Sequence, residues 1–313
     1  MSKIEKNSNA ANSEKFKSKI GGQALIEGIM MLGPTTGAMA CRLPNGTIDV
    51  ETWEENNGKN APWYKKLPLI RGCTNFVFSL IRGYKYMMKS AEKQMTEEEK
   101  EEEENSSAFF NVLMTISMII GIMLAVGLFV FLPKWIVGGF AVFTQNRILR
   151  SVVEGVMKIV IFVGYMALVS LMKDIRRQYM YHGAEHKTIA CHEAKLPLTI
   201  ENIRKQTRFH KRCGTSFIFI VLIVSIFVMC FVPFSVTWQR IVASLILLPL
   251  IVGISYECIR LAGNHDNLFT KILSAPGLAM QRLTTREPDD SMIEIAIAAV
   301  TPCIPEDKDE DKW

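Results

Sequence analysis

The stretch YHGAEHKTIACHE, residues 181–193, holds three of the chain's five histidines together with two glutamates and a cysteine. Within it, His182, Glu185 and His186 match the H-x-x-E-H pattern of inverted zincins. In that pattern the two histidines bind zinc, and the glutamate accepts a proton from the water that the metal activates. Zinc lowers the pKa of that water to about 7, which makes hydroxide available near neutral pH. The motif therefore predicts a divalent metal, with zinc as the candidate ion and Glu185 as the catalytic residue.

The spacing of these residues suits a helix. At 100° per residue, His186 lies about 40° from His182 around the helix axis, and Glu185 about 60° to the other side. One helix face would then present both imidazoles and the carboxylate. Gly183 within the motif weakens a regular helix by about 1 kcal/mol relative to alanine.

A catalytic zinc site also needs a third protein ligand and an open coordination position. The segment HKRC, residues 210–213, is the most suggestive source, because an H-x-x-C pair can converge on one ion. We therefore predict His210 and Cys213 as further metal ligands beside His182 and His186. The spacing does not decide among these and the remaining candidates, which are His192, Glu193, His265 and Asp266.

The same region has a second interpretation. Segment 173–214 carries ten lysines and arginines and could be a basic loop that docks an anionic partner. Acidic lipid headgroups, a membrane-bound protein complex, or the RNA of a membrane-attached ribosome would fit such a surface. In this hypothesis the protein is a non-enzymatic membrane adaptor, and nucleic acid outside a ribosome is not an expected partner.

Four long apolar runs surround this polar segment, and each approaches the roughly 20 residues that a helix needs to cross a bilayer. They are residues 109–132, 152–172, 215–234 and 238–256. The sequence thus predicts a mainly α fold, a polytopic membrane protein with about four transmembrane helices. Four spans would form a closed bundle alone or require a second copy, so a homo-oligomer stays open. Glu154 and Lys158, four residues apart, are expected to pair on one helix face.

The distribution of lysine and arginine predicts the orientation. Segment 173–214 is far more basic than the first connecting loop, which contains only Lys134, Arg147 and Arg150. Because basic loops stay in the cytoplasm, segment 173–214 is predicted to be cytoplasmic. An even number of spans then puts both termini in the cytoplasm and makes the chain a multi-pass membrane protein with membrane lipid as its surroundings.

The chain divides into four predicted regions: a disordered tail at 1–18, a cytoplasmic N-terminal element at 19–108, a membrane region at 109–257 that includes segment 173–214, and C-terminal cytoplasmic helices with a charged tail at 258–313. The N-terminal element is expected to be α+β. It combines a β-hairpin about Pro44-Asn45-Gly46, an amphipathic helix over 67–90 and an acidic linker that contains 97–104. Glu27, a carboxylate in an apolar stretch, is either a partner of the basic segment or a ligand.

Four segments resemble the YqhQ-like family of bacterial membrane proteins: GGQALIEGIMMLGP, YHGAEHKTIACHE, FHKRCGTSF and PGLAMQRLTTREPDDSMIEIAI. The resemblance covers roughly residues 19–302. It implies a location in the bacterial cell membrane and a predicted metal-dependent enzyme built around a domain of unknown function. That description rests on the same histidine pattern and supplies no substrate or reaction. The N-terminal tail and the acidic linker are peculiar to this chain.

Overall fold

The computed structural model describes residues 16–56, 62–96, 98–99, 107–140, 145–265, 267–307 and 309–311. The predicted tail at 1–18 therefore lies outside the described residues except for its last three. Most of the predicted acidic linker at 97–104 lies outside them as well. What is described confirms a mainly helical chain with a small N-terminal sheet.

The sheet is an antiparallel meander with the strand order β1-β2-β3-β4. Its strands are β1 Gly21–Leu25, β2 Gly28–Leu32, β3 Thr36–Arg42 and β4 Ile48–Glu54. The predicted hairpin joins β3 to β4, and Gly46 in its turn has a φ of +88°, which favours glycine. The glycine- and methionine-rich start of the chain supplies β1 and β2, which the sequence analysis did not predict. Their turn is tight enough to hold Glu27 at a φ of +50°.

The helices follow in chain order. They are α1 Ile70–Glu92, α2 Ser107–Val126, α3 Leu132–Gly138, α4 Arg147–Val169, α5 Lys173–Glu193, α6 Ile200–Arg204, α7 Gly214–Cys230, α8 Thr237–Ile246, α9 Leu248–Asn264, α10 Leu268–Thr284 and α11 Asp290–Val300. A π-helical turn, Gly127–Phe131, joins α2 to α3. The predicted amphipathic helix is α1.

One hydrophobic core joins three distant parts of the sequence. The sheet contributes Ile29 and Met31, α5 contributes Ile189, and α11 contributes Met292 and Ile295, all at most 2% exposed. Burying a side chain of this size contributes about 1.5–3 kcal/mol. Segment 173–214 is therefore not mainly a loop, because α5 is a core helix that packs against both the sheet and α11.

Two helical segments are long and apolar enough to cross a membrane: Val112–Gly138, with 27 residues, and Arg147–Val169, with 23 residues. The run predicted at 215–234 forms α7, which has only 17 residues and ends before Pro233. The run predicted at 238–256 is divided between α8 and α9, whose axes bend by 53°. Pro249 in the first turn of α9 cannot continue a preceding helix. The prediction of about four transmembrane helices is therefore not confirmed, since two qualify, or three if the bent pair is one span.

Candidate metal centre

Helix α5 carries the motif on its buried side, as the spacing predicts. Glu185 is 4% exposed and His186 is 1% exposed. Gly183 precedes these two residues and follows His182. A Cβ at position 183 would lie 1.9 Å from the backbone oxygen of Arg286, so a larger residue would not fit there. The glycine that weakens the helix thus permits the close approach of α5 to the segment that follows α10.

Three of the four predicted ligands converge. His182, His186 and Cys213 each offer a ligand atom, and these atoms lie within 4.8 Å of one another. The Sγ of Cys213, the residue just before α7, lies 3.3 Å from Nε2 of His182. The two imidazole centroids are 4.4 Å apart. Zinc binds imidazole and thiolate at about 2.0–2.3 Å in a tetrahedron, which separates the donor atoms by roughly 3.5 Å. The residues therefore fit a zinc ion with little rearrangement.

The second nitrogen of each histidine is held by a backbone carbonyl. Nδ1 of His182 lies 2.9 Å from the oxygen of Thr284, and Nδ1 of His186 lies 2.6 Å from the oxygen of Arg208. Because a carbonyl only accepts, each Nδ1 carries the proton and donates it. This leaves each Nε2 available to a metal, and it is the arrangement that metal-binding histidines usually have.

Glu185 stands beside these ligands with part of its carboxylate unsatisfied. The backbone N–H of Gly22 in β1 lies near this carboxyl group and opposes the rise of its pKa. Within the part of the chain that the structure describes, its Oε2 has no hydrogen-bond partner. A Cβ on Gly22 would lie 3.1 Å from Cδ of Glu185, so glycine at position 22 lets β1 approach α5 closely. An unsatisfied buried oxygen costs about 1–3 kcal/mol, and a catalytic role or a bound ion is one explanation for such a group.

The charges of the cluster are mutually dependent. Burial raises the pKa of the Cys213 thiol, but the imidazoles of His182 and His186 outweigh it and bring that pKa well below its usual range. Burial opposes protonation of His182, yet the adjacent Cys213 thiolate raises the pKa of His182 to about 9. Burial also raises the pKa of Glu185, against the opposing effect of both imidazoles. The thiol of Cys213 and the imidazole of His182 thus each favour the charged form of the other.

The fourth predicted ligand, His210, borders the cluster but lies apart from the converging atoms. Its ring centroid is 5.6 Å from that of His186, and its Nε2 is 3.8 Å from Oε2 of Glu193. Its backbone is held by Gln281, whose amide accepts from the N–H of His210 at 2.8 Å and donates to its carbonyl at 2.7 Å. Burial lowers the pKa of His210.

The remaining candidates from the sequence contact other groups. Nε2 of His192 lies 2.7 Å from Oδ2 of Asp311, and Glu193 pairs with Arg212. His265 is exposed at the end of α9, and Asp266 lies outside the described residues. The contacts that sequence reasoning missed are the carbonyls of residues 208 and 284 and the N–H of Gly22. Backbone groups brought from remote segments leave no signature in side-chain spacing.

Carboxylates of the same chain meet much of the basic segment. Lys187 and Arg208 both pair with Glu287, at 2.8 and 3.1 Å. Of the two roles predicted for Glu27, the structure shows a partner of the basic segment. Arg177 donates to both carboxylate oxygens of Glu27, and Tyr181 donates its hydroxyl at 3.0 Å. These ion pairs fix α5 against the sheet and against the segment that follows α10.

The chain matches a known protein family over the range that contains this cluster. The family model described as "Protein of unknown function (DUF1385)" matches residues 67–306, a range that contains the converging ligands and Glu185. The chain is 32% identical over 293 residues to the uncharacterized protein YqhQ of Bacillus subtilis (strain 168), across 91% of this chain and 92% of that protein. No solved structure matches the chain. Neither description names an activity or a metal.

Proposed function

The chain belongs to the DUF1385 family, and we propose that it is a metal-dependent hydrolase of the bacterial cell membrane with its site at the cytoplasmic face. One observation supports this most: His182, His186 and Cys213 converge beside Glu185, whose buried carboxylate keeps an unpartnered oxygen. Nearly all buried polar groups in folded proteins are paired, so an unpartnered carboxylate oxygen beside three converging ligands supports a site that handles a ligand or a proton.

Zinc is the ion that the donor set favours. Imidazole and thiolate are its usual ligands, and catalytic zinc sites keep three protein ligands and one open position. Bound zinc would supply a Lewis acid that activates water near neutral pH. Two neutral imidazoles, one thiolate and a divalent cation leave a net charge of +1, which would balance an ionised Glu185.

Individual residues of the chain would then have separate roles in catalysis. The carbonyls of Thr284 and Arg208 orient the two imidazoles, and burial keeps bulk water away from the ligands. Glu185 would accept and return the proton, since burial moves its pKa upward toward the range that suits a general base.

The membrane placement belongs to the same proposal. Segment Val112–Gly138 and α4 would cross the bilayer, and α7 with the bent pair α8–α9 would complete four crossings. At 1.5 Å per residue, α7 spans about 25 Å and is somewhat short for a core of roughly 30 Å. The basic segment would face the cytoplasm together with both termini.

Helix α1 would lie along the same membrane surface. Its side chains Val77, Leu80 and Ile81 are 51–61% exposed, and Arg82 lies on the same helix. An exposed apolar face with basic neighbours suits the interface of an anionic membrane. This apolar surface, like those of α2 and α4, would equally suit contact with a second copy of the chain.

The adaptor hypothesis stays a second proposal. Its anionic partner would compete with Glu27, Glu193 and Glu287 for the basic segment, which is why we favour the metal-dependent enzyme. Adaptor binding would weaken steeply between low and high salt, because charge neutralisation drives it.

Glu185→Gln separates catalysis from metal binding. We expect the variant to keep stoichiometric zinc and to lose at least about a hundredfold in turnover, as removal of a general base usually does. Zinc-loaded wild type and variant would be compared on panels of ester, phosphoester and peptide substrates. Equal turnover by both proteins on a substrate that needs the zinc would contradict the role of Glu185.

A further inference from the structure

A second polar cluster is buried near the opposite end of the membrane helices. It contains Lys134 of α3, Arg150 and Glu154 of α4, and Arg240 of α8, which are 2%, 2%, 4% and 0% exposed. Helix α4 begins at Arg147 and ends shortly before α5, so its first turns lie far from His182 and the metal centre. Charged side chains at this depth in a membrane protein usually mark a functional site.

The two arginines of this cluster are satisfied. Nε of Arg150 lies 2.8 Å from Oε1 of Glu154, and a terminal nitrogen of Arg240 lies 3.0 Å from Oε2. Their other N–H groups reach Thr237 Oγ1 at 2.9 Å and Ser151 Oγ at 2.8 Å. Glu154 is therefore fully engaged by arginines, and not by Lys158 as the sequence spacing predicts.

Lys158 of α4 lies beside this cluster, and it and Lys134 are held only weakly. Nζ of Lys134 lies 3.4 Å from the oxygen of Val130 on the same helical segment. Nζ of half-buried Lys158 lies 3.5 Å from Oγ of Ser225. A lysine ammonium has three N–H donors, so both keep unused donors among the described residues. Lys134 also lies within electrostatic range of Lys158 and of both arginines.

The surrounding helices contain no second acidic residue to balance this charge. Glu154 is the only acidic residue in segment 107–173, and segment 214–256 has none. Four basic side chains thus share one carboxylate in a low-dielectric setting, where a surplus lysine either loses its proton or is accompanied by an anion. The basic side chains outnumber the carboxylate by more than one, so an anion with several oxygens would suit the site.

We propose that this cluster binds a phosphate group between Lys134 and Lys158, as carried by an anionic phospholipid or by free phosphate. Lysine is a common phosphate ligand. The Ser225 hydroxyl donates to the carbonyl of Leu222 at 2.7 Å and accepts from Lys158, so it holds the lysine without using all three of its N–H donors. The site is separate from the His182 cluster and does not depend on whether that cluster binds metal.

The test measures binding through thermal stability in a neutral detergent. Wild type would be titrated separately with short-chain phosphatidylglycerol, phosphatidylcholine and inorganic phosphate. The variants are Lys134→Met and Lys158→Met, with Arg147→Gln as the matched control, because Arg147 is an exposed cation at the start of α4. We expect each lysine variant to bind the anion about tenfold more weakly, while the control stays within about twofold of wild type.

The two sources of phosphate give different results. A response to phosphatidylglycerol alone assigns a lipid, whereas a response to inorganic phosphate as well assigns a site open to free phosphate. Without any anion, the methionine variants should melt at or above the wild-type temperature, because each removes a basic group that is buried or half-buried and has unused donors. Wild type that responds to neither anion, lysine variants that bind as wild type does, or lysine variants that melt lower without anion would overturn the proposal.

Discussion

The chemistry of the proposed metal centre would depend on single atoms that the fold holds in place. Nε2 of His182 and Nε2 of His186 face the cluster because their Nδ1 atoms are bound to carbonyls. The H-x-x-E-H spacing was enough to predict that these histidines and Glu185 share one side of α5. It was not enough to choose between His210 and Cys213, which lie three residues apart in a segment outside regular helix. The structure brings Cys213 to the cluster and turns the ring of His210 toward Glu193.

Glu27 gives a prediction at this scale. The hydrogen bond from Arg177, then its charge and the Tyr181 hydroxyl, lower the pKa of Glu27, although burial opposes them. Because the folded pKa lies below the unfolded one, the stabilisation is fully present above the unfolded pKa and is lost as pH falls through the folded pKa. Glu27→Gln should therefore lower the free energy of unfolding by about 1 kcal/mol at pH 7, a value reduced for partial exposure.

Chemical denaturation of both proteins across pH 3–8 would measure this difference. It should shrink at the acidic end, where Glu27 itself becomes neutral. Glu201→Gln is the control, because its pair with Lys205 is exposed on both sides and its loss should matter little. A difference that grows toward acidic pH would contradict the account of Glu27.

At the scale of elements, α5 follows α4, one of the two helices long and apolar enough to cross a membrane, and packs against the small sheet. The turn at Gly46 followed from local signals. A local signal also lies at the N-terminus of α11, where Asp289 caps the helix by accepting from the N–H of Met292 at 2.9 Å. Strands β1 and β2 did not follow from local signals, because GGQALIEGIMML shows no clear alternation. They become strands through packing against α5 and α11. The fourth apolar run is divided into α8 and α9 near Pro249, and hydropathy alone does not reveal this break.

Gly183→Ala tests the close approach of α5. Its new methyl group would meet the backbone oxygen of Arg286 at 1.9 Å, and a backbone atom cannot turn aside as a flexible side chain can. We expect a loss of about 1–3 kcal/mol in the free energy of unfolding, together with weaker zinc binding. Gly164→Ala is the control, since nothing lies within 4 Å of its Cβ position on α4. Wild-type stability and zinc affinity in Gly183→Ala would show that the contact is unimportant.

For the whole molecule, composition predicted a membrane protein, and two qualifying helices agree with that. The number of crossings could not be predicted from composition, because apolar runs of similar length form a short helix in α7 and a bent pair in α8–α9. Sequence order also concealed that the N-terminal strands, α5 and α11 share one core. Such a core depends on contacts between residues that are hundreds of positions apart.

Orientation can be tested with compartment-sensitive reporters. A reporter fused after residue 313 should be active in the cytoplasm, and one inserted between α3 and α4 should be active outside it. A reporter fused after Asn264 provides a further cytoplasmic point, because it follows the bent pair. External activity at residue 313 would contradict the four-crossing proposal.

The metal site itself is tested most directly by its metal content. Wild type, His186→Ala and His265→Ala would be purified in mild detergent without chelators and analysed by elemental mass spectrometry. His265 is the matched control because it is an exposed histidine outside the cluster. We predict about one zinc per chain in wild type and His265→Ala, and loss of zinc in His186→Ala with insertion unchanged. Stoichiometric zinc in His186→Ala, or no metal in any of the three proteins, would contradict the metal centre.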